Sequence, residues 1–257
     1  MTIRKAILVL SLGMLLVSCA KPAIKPVTPP MAKPAEGAVT IETLRDSLFL
    51  KEITSIKSEV SVQASKNGET LGTFSGILAY KAPDAVNLRL FGPLSLTVAD
   101  LVMNEKLLQV YIPLRNTLYE GEAPSLSEFK TRKDLLYAVE ELKNGYVLYM
   151  LKESNPDDMP KSMEVELIGR YAFSNKTSPV NTGATLYRNK KQSLDISFED
   201  FTGSLPLTLK VRAGSTELLM RLIEPEVNGE VSDEFFMPKD HEGKEVKPLK
   251  ELSGKGL

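Results

Sequence analysis

From Glu59 onward apolar and polar residues alternate, and short turn signals break the alternation at roughly ten-residue intervals. Val60, Val62 and Ala64 alternate with Glu59, Ser61 and Gln63, and Lys66-Asn67-Gly68 follows as a hairpin turn. The next segment sets Phe74, Leu78 and Tyr80 on one face with Gly72 and Gly76. Val86, Leu88 and Leu90 then alternate with Asn87 and Arg89, and Gly92-Pro93 turns the chain into Leu94, Leu96 and Val98. Asn104-Glu105 turns it again into Leu108, Val110 and Ile112, and residues 116–120 add another short strand. A period of two places all apolar side chains of a strand on one face. The pattern predicts an antiparallel meander with a single apolar face.

Strands resume at Tyr146 to Leu151 and at Met163, Val165 and Leu167, separated by the polar loop Ser154 to Lys161. Three further runs alternate: Leu194, Ile196, Phe198; Leu207, Leu209, Val211; and, after Ala213-Gly214-Ser215, Leu218, Met220, Leu222. Two segments carry the helical period instead. Thr40 is a candidate N-cap for Ile41, Leu44 and Leu48. Ser125-Leu126-Ser127-Glu128 has a capping-box pattern leading into Leu126, Phe129, Leu136 and Val139, with Asn144-Gly145 as the stop. The stretch from Lys239 is polar and is expected to fray. The predicted class is α+β: one large curved antiparallel sheet, an unclosed half-barrel of about 11–12 strands, with two or three covering helices. A sheet that size twists and curls, and so few helices cover its apolar face incompletely. The expected result is an apolar cavity suited to an acyl chain.

The amino terminus gives an address. Arg4 and Lys5 precede an aliphatic run from Ala6 to Val17, and Ser18 precedes Cys19, the layout of a secretory signal. The apolar run is shorter than the ~20 residues of a spanning helix. Leu16-Val17-Ser18-Cys19 resembles the lipobox of bacterial lipoproteins, which implies cleavage before Cys19 and its lipidation there. Cys19 is the only cysteine, so no internal disulfide competes with that role. More than one acyl chain gives stable anchoring. The resemblance, with Ala20 instead of Asp after the Cys, implies the outer membrane of a Gram-negative-type envelope, facing the periplasm. Pro22, Pro26, Pro29, Pro30 and Pro34, spaced by lysines, make an extended tether. The division is therefore a signal peptide over 1–18, the lipidated Cys and tether over 19–38, one folded domain over 39–240 and a polar tail over 241–257.

Composition narrows the function. The net charge is -1, so no polybasic field points to nucleic acid. His241 is the only histidine and lies in the polar tail, which argues against His-based acid–base chemistry or a multi-His metal site. Asp157-Asp158 reads as a solvated turn. With no nucleotide-binding or nucleophile motif either, the expectation is a binding protein without enzymatic activity, cofactor or metal.

Tyr80-Lys81-Ala82-Pro83-Asp84, Leu88-Arg89-Leu90-Phe91-Gly92-Pro93-Leu94, Tyr111-Ile112-Pro113 and Tyr119-Glu120-Gly121 together resemble the LolA/LolB lipoprotein-carrier superfamily. Leu222-Ile223-Glu224-Pro225-Glu226-Val227-Asn228 and Phe235-Phe236-Met237-Pro238 resemble its carboxy-terminal part. The lipobox favours the membrane-anchored, LolB-like branch. That resemblance implies a protein that takes acylated lipoproteins or lipids, with a soluble LolA-like carrier as partner, and places them in the outer membrane. It also implies an exposed Leu in the turn between two early strands. Here Leu94 holds that place beside Phe91, with Ser95 where the family pattern has Gly. Val86, Leu88 and Leu90 before the turn, and Leu96 and Val98 after it, complete the candidate ligand-binding set. The other reading of Leu94 is the first residue of a buried strand. The alternative function is a non-transferring scaffold or lipoprotein-sensing module on the same fold.

Overall fold

The computed structural model describes residues 39–48, 52–122, 135–153 and 165–253. Fourteen strands form one sheet: β1 (Ser55–Lys66), β2 (Glu69–Lys81), β3 (Ala85–Phe91), β4 (Thr97–Asn104), β5 (Leu107–Ile112), β6 (Thr117–Glu122), β7 (Leu135–Leu142), β8 (Gly145–Glu153), β9 (Val165–Ser174), β10 (Val180–Arg188), β11 (Lys191–Thr202), β12 (Leu205–Ala213), β13 (Thr216–Val227) and β14 (Glu245–Pro248). The order is β14-β6-β5-β4-β3-β2-β1-β13-β12-β11-β10-β9-β8-β7. Two meanders run outward from the centre, where β1 and β13 pair antiparallel from Ile56↔Val227 to Lys66↔Thr216. Every pair is antiparallel except β14 with β6, and the outermost strands β14 and β7 do not meet, so the sheet is unclosed. Asn67 and Gly68, both at positive φ (52° and 81°), make the first hairpin turn that their sequence predicts.

Register assigns the faces. Val60, Val62 and Ala64 of β1 stand opposite Gly76, Phe74 and Gly72 of β2 and Leu222, Met220 and Leu218 of β13. Together with Leu90, Val98, Ala99, Val110, Ile112 and Tyr119 they build the main apolar cluster. A Cβ on Gly76 would overlap the Arg89 carbonyl oxygen and lie 2.8 Å from Leu90 Cδ2. The missing side chain therefore lets β2 and β3 close over Val60. At the other end of the same face sits α1 (Ile41–Asp46), capped by Thr40 Oγ1, which accepts from the Thr43 amide at 3.1 Å. Its buried residue, Leu44, packs against Tyr146, Leu148 and Phe173.

Three expectations are corrected. The sheet has more strands than predicted, and α1 is the one α-helix among the described residues. The second predicted helix is replaced where it is described: Leu136 and Val139 lie in β7, which pairs with β8 from Leu135↔Lys152 to Leu142↔Gly145. The run Leu135-Leu136-Tyr137-Ala138-Val139 satisfies both periods, and the strand wins because Tyr137 and Val139 then bury against the α1 cluster. Its capping-box residues, Ser125 to Phe129, lie outside the described residues, as do Met163 and the loop Ser154 to Lys161. The third correction concerns the carboxy terminus, which is ordered through Ser253 instead of fraying from Lys239.

That carboxy-terminal segment straps the face opposite the apolar one. Val231 and Phe236 bury against Ala79 of β2. Asp100 of β4, its side chain only 6% exposed, bonds Arg89 Nε at 2.9 Å, Lys239 Nζ of the strap at 2.8 Å and Asn87 Nδ2 at 3.0 Å. Gln109 accepts from the Lys239 amide at 2.6 Å and donates to Glu120 at 2.6 Å, and His241 Nε2 stands 2.9 Å from the same carboxylate. The strap then adds β14 to the edge of β6 and crosses to the apolar face, where Leu252 joins the main cluster. Replacing Asp100 by Ala should lower the unfolding free energy by about 2 kcal/mol in urea titration, because two cations and a buried amide lose their partner. The partners' remaining solvent contact keeps the loss below that of a fully buried pair. Hydrogen bonds from Gln109 and His241 hold the Glu120 carboxyl below its ordinary value. A depressed folded-state pKa adds stability above the unfolded value, and that stability disappears as pH falls through the folded one. An acid titration of a Glu120→Gln variant should therefore lose less stability below pH ~4.3 than the parent does.

Candidate functional site

The apolar face is not evenly covered. α1 packs on β7 and β8, and the 3-10 turn Leu249–Ser253 packs on β5 and β6. Among the described residues no helix or 3-10 turn packs comparably on β10, β11 and β12, though Ile53 covers the start of β12, where it packs with Leu205 and Leu207. There the register lines up Leu186 with Leu194, Ile196 with Val211, Phe198 with Leu209, Leu209 with Met220 and Val211 with Leu218. All of these side chains are half-buried, whereas Val60, Val62 and Ala64 on the adjoining β1 are buried. On this face no charge interrupts Leu194-Ile196-Phe198, Leu207-Leu209-Val211 or Leu218-Met220-Leu222, since their polar neighbours point the other way.

Two phenols, Tyr171 of β9 and Tyr80 of β2, border this surface. Burial, and then the nearby Tyr137, push the Tyr171 phenol up to about 12. Burial first, and the Asp84 carboxylate second, raise Tyr80. Such a surface is built of hydrocarbon side chains. It can take apolar matter out of water, at about 0.8 kcal/mol per methylene.

The residues proposed from sequence divide into two groups. Leu90 and Val98 are buried in the main cluster with Leu88 packed against them, and Val86 and Phe91 are half-buried. Leu94 and Leu96 are outside it. β4 starts only at Thr97, so the expectation that Leu94 and Leu96 open a strand gives way to a tight turn over Pro93–Ser95. Leu94 is 91% exposed and Leu96 65% exposed. Leu94 and Ser95 both have positive φ (59° and 57°), a strained arrangement for two residues with a Cβ. The hairpin is closed by the Gly92 amide bonding the Leu96 carbonyl at 2.9 Å. Leu114, 59% exposed, sits in the β5–β6 turn at the same end of the sheet. Arg89 points to the strapped face, toward Asp100, and away from the apolar surface. Cys19 lies outside the described residues.

The half-buried set on β10 to β13 was missing from the sequence-derived site. Its alternation is plain, but alternation looks the same whether or not another element covers the face. An open cleft of about 580 Å³ lies at the opposite end of the sheet, between the Ala82–Asp84 and Asn104–Lys106 turns, where Phe236 and Pro83 stand beside charged side chains such as Lys81 and Asp233.

No protein-family model matches the chain, and no curated protein matches its sequence. Solved structures do match its shape. One is a domain described as an outer membrane lipoprotein-sorting protein from Vibrio parahaemolyticus, with TM-score 0.54 and 10% identity over 78% of this chain and 96% of that one. Another is a LolA superfamily protein from Nitrosomonas europaea, with TM-score 0.51 and 12% identity over 78% of this chain and 99% of that one. A DUF1329 family protein from Desulfovibrio piger matches at TM-score 0.52 and 12% identity, over 77% and 94% respectively. At these identities the likeness is one of fold.

Proposed function

We propose that the chain is a lipoprotein of a Gram-negative-type envelope, anchored through acylated Cys19, that holds acyl chains of lipoproteins or lipids and delivers them to the outer membrane. The observation that carries this reading is the half-buried apolar surface of β10 to β12, on which no described helix or turn packs and which is too apolar to be left to water. The lipobox sets the location, and the likeness to a lipoprotein-sorting domain supports the cargo class. A soluble LolA-like carrier would be the donor, with the acyl chains passing between two apolar faces. Native mass spectrometry of the anchorless protein purified from cells should find a co-purifying acylated species, and the protein should accept a labelled lipoprotein from a carrier. Failure of both refutes the binding role. Correct lipoprotein sorting in a depletion strain refutes the delivery role alone.

Leu94 is the contact with the bilayer in this reading. Its side chain is almost wholly in solvent and its backbone is strained, so nothing in the fold is gained by keeping it. Leu94→Gly should leave stability unchanged or raise it by up to ~1 kcal/mol, since Gly removes the positive-φ penalty. The same variant should bind cargo normally and transfer it to liposomes several-fold more slowly. Unimpaired transfer would remove Leu94 from the mechanism.

A further inference from the structure

We propose that the carboxy-terminal turn Leu249–Ser253 is a displaceable plug, a built-in competitor that fills part of the acyl-binding face and yields to an entering chain. The inference rests on the acyl-binding reading above and concerns how that face is gated.

Leu252 is buried in the main cluster with Val110, Ile112 and Tyr119, and Leu249 packs against the same cluster. Both belong to a segment that comes from the opposite face and reaches this one only by passing around the β6 edge. The seat is shaped for it. A Cβ added to Gly121 would lie 2.8 Å from Leu249 Cβ, so the absence of a side chain at 121 creates the space the plug uses. What the two leucines offer to β5 and β6 is what an acyl chain would offer: branched or linear hydrocarbon with no directional bond.

The attachment of the plug is local. It hangs on β14, four residues paired parallel to β6 from Glu245↔Thr117 to Pro248↔Glu120. Beyond that pairing, the Glu245 amide bonds the Asn116 carbonyl at 3.0 Å, the Thr117 hydroxyl donates to the Glu245 carboxylate at 3.3 Å, and Asn116 Nδ2 bonds the Gly243 carbonyl at 2.6 Å. The firm anchors of the strap, Asp100–Lys239 and Gln109–Lys239, lie upstream on the other face. The turn can therefore lift while the strap stays fixed. Lifting it opens the cluster against which Leu218, Met220 and Leu222 of β13 also pack.

The test uses a fluorescent polyene fatty acid of eighteen carbons as probe, titrated into the parent protein, a Leu249→Ser/Leu252→Ser variant and a Met237→Ser control. Met237 is an exposed strap residue outside the plug. The double variant should bind the probe on the order of tenfold more tightly, because the chain no longer has to expel two leucines, and the control should match the parent. The second measurement needs no variant. Saturating the parent with probe should speed amide hydrogen exchange several-fold over Glu245 to Glu251 and leave β1 unchanged. Probe binding by the parent, with no gain in the double variant and no faster exchange, overturns the plug and leaves the acyl reading standing. Absence of probe binding by parent and double variant alike overturns both.

Discussion

A Gly145→Ala variant is expected to lose about 3 kcal/mol of unfolding free energy, one of the two largest effects of a single substitution anticipated here. Gly145 opens β8 and pairs with Leu142 of β7 and Ser174 of β9. An alanine Cβ would overlap the Phe173 carbonyl oxygen and stand 3.0 Å from its carbonyl carbon and 3.3 Å from Ser174 Cα. These are backbone atoms, so no rotamer change relieves the clash. β9 must shift, and Phe173, 4% exposed and packed in the α1 cluster, shifts with it. Urea titration should show the loss as a lower midpoint with little change in slope. A loss under ~0.5 kcal/mol would mean that β8 and β9 part more easily than the packing implies.

Leu44→Ala should cost a similar amount, about 3 kcal/mol. Leu44 is fully buried against Tyr146, Leu148 and Phe173. α1 has six residues, too few to persist without tertiary contact, so the helix and its one buried leucine stand or fall together. Part of the cost is the cavity, and part is the detachment of the helix from β7 and β8. The variant should also bind more of a hydrophobic dye than the parent, because the surface under α1 becomes accessible. Stability loss without extra dye binding would show that the helix stays seated and that the cavity term alone is at work.

How much of this was legible beforehand depends on the range of the interaction. Local rules served well. Asn67-Gly68 makes the turn it predicts, Thr40 caps α1, and the alternation around Val60, Leu88 and Leu209 marks strands with their apolar side chains on one face. The residues around Leu136 misled because a helical spacing of Leu136 and Val139 and a strand spacing of Leu135, Tyr137 and Val139 coexist in five residues. Only pairing with β8 and burial against α1 break that tie. Leu94 and Leu96 continue the alternation of β4, yet Pro93 starts a tight turn and leaves both in solvent. The polar look of the segment after Lys239 concealed its order, since its bonds to Asp100, Gln109 and Glu120 join residues more than a hundred positions apart.

The pattern of residues was enough to establish a large antiparallel sheet with one apolar face. Those properties depend on periodicity and short motifs, which are local in the chain. Tertiary structure decided which part of the apolar face is filled and which is open. α1 and Leu249–Ser253 cover its two flanks, and among the described residues no helix or 3-10 turn packs comparably on β10 to β12 between them. Coverage is a property of elements distant in sequence that meet in space, and alternation carries no record of what lies above it.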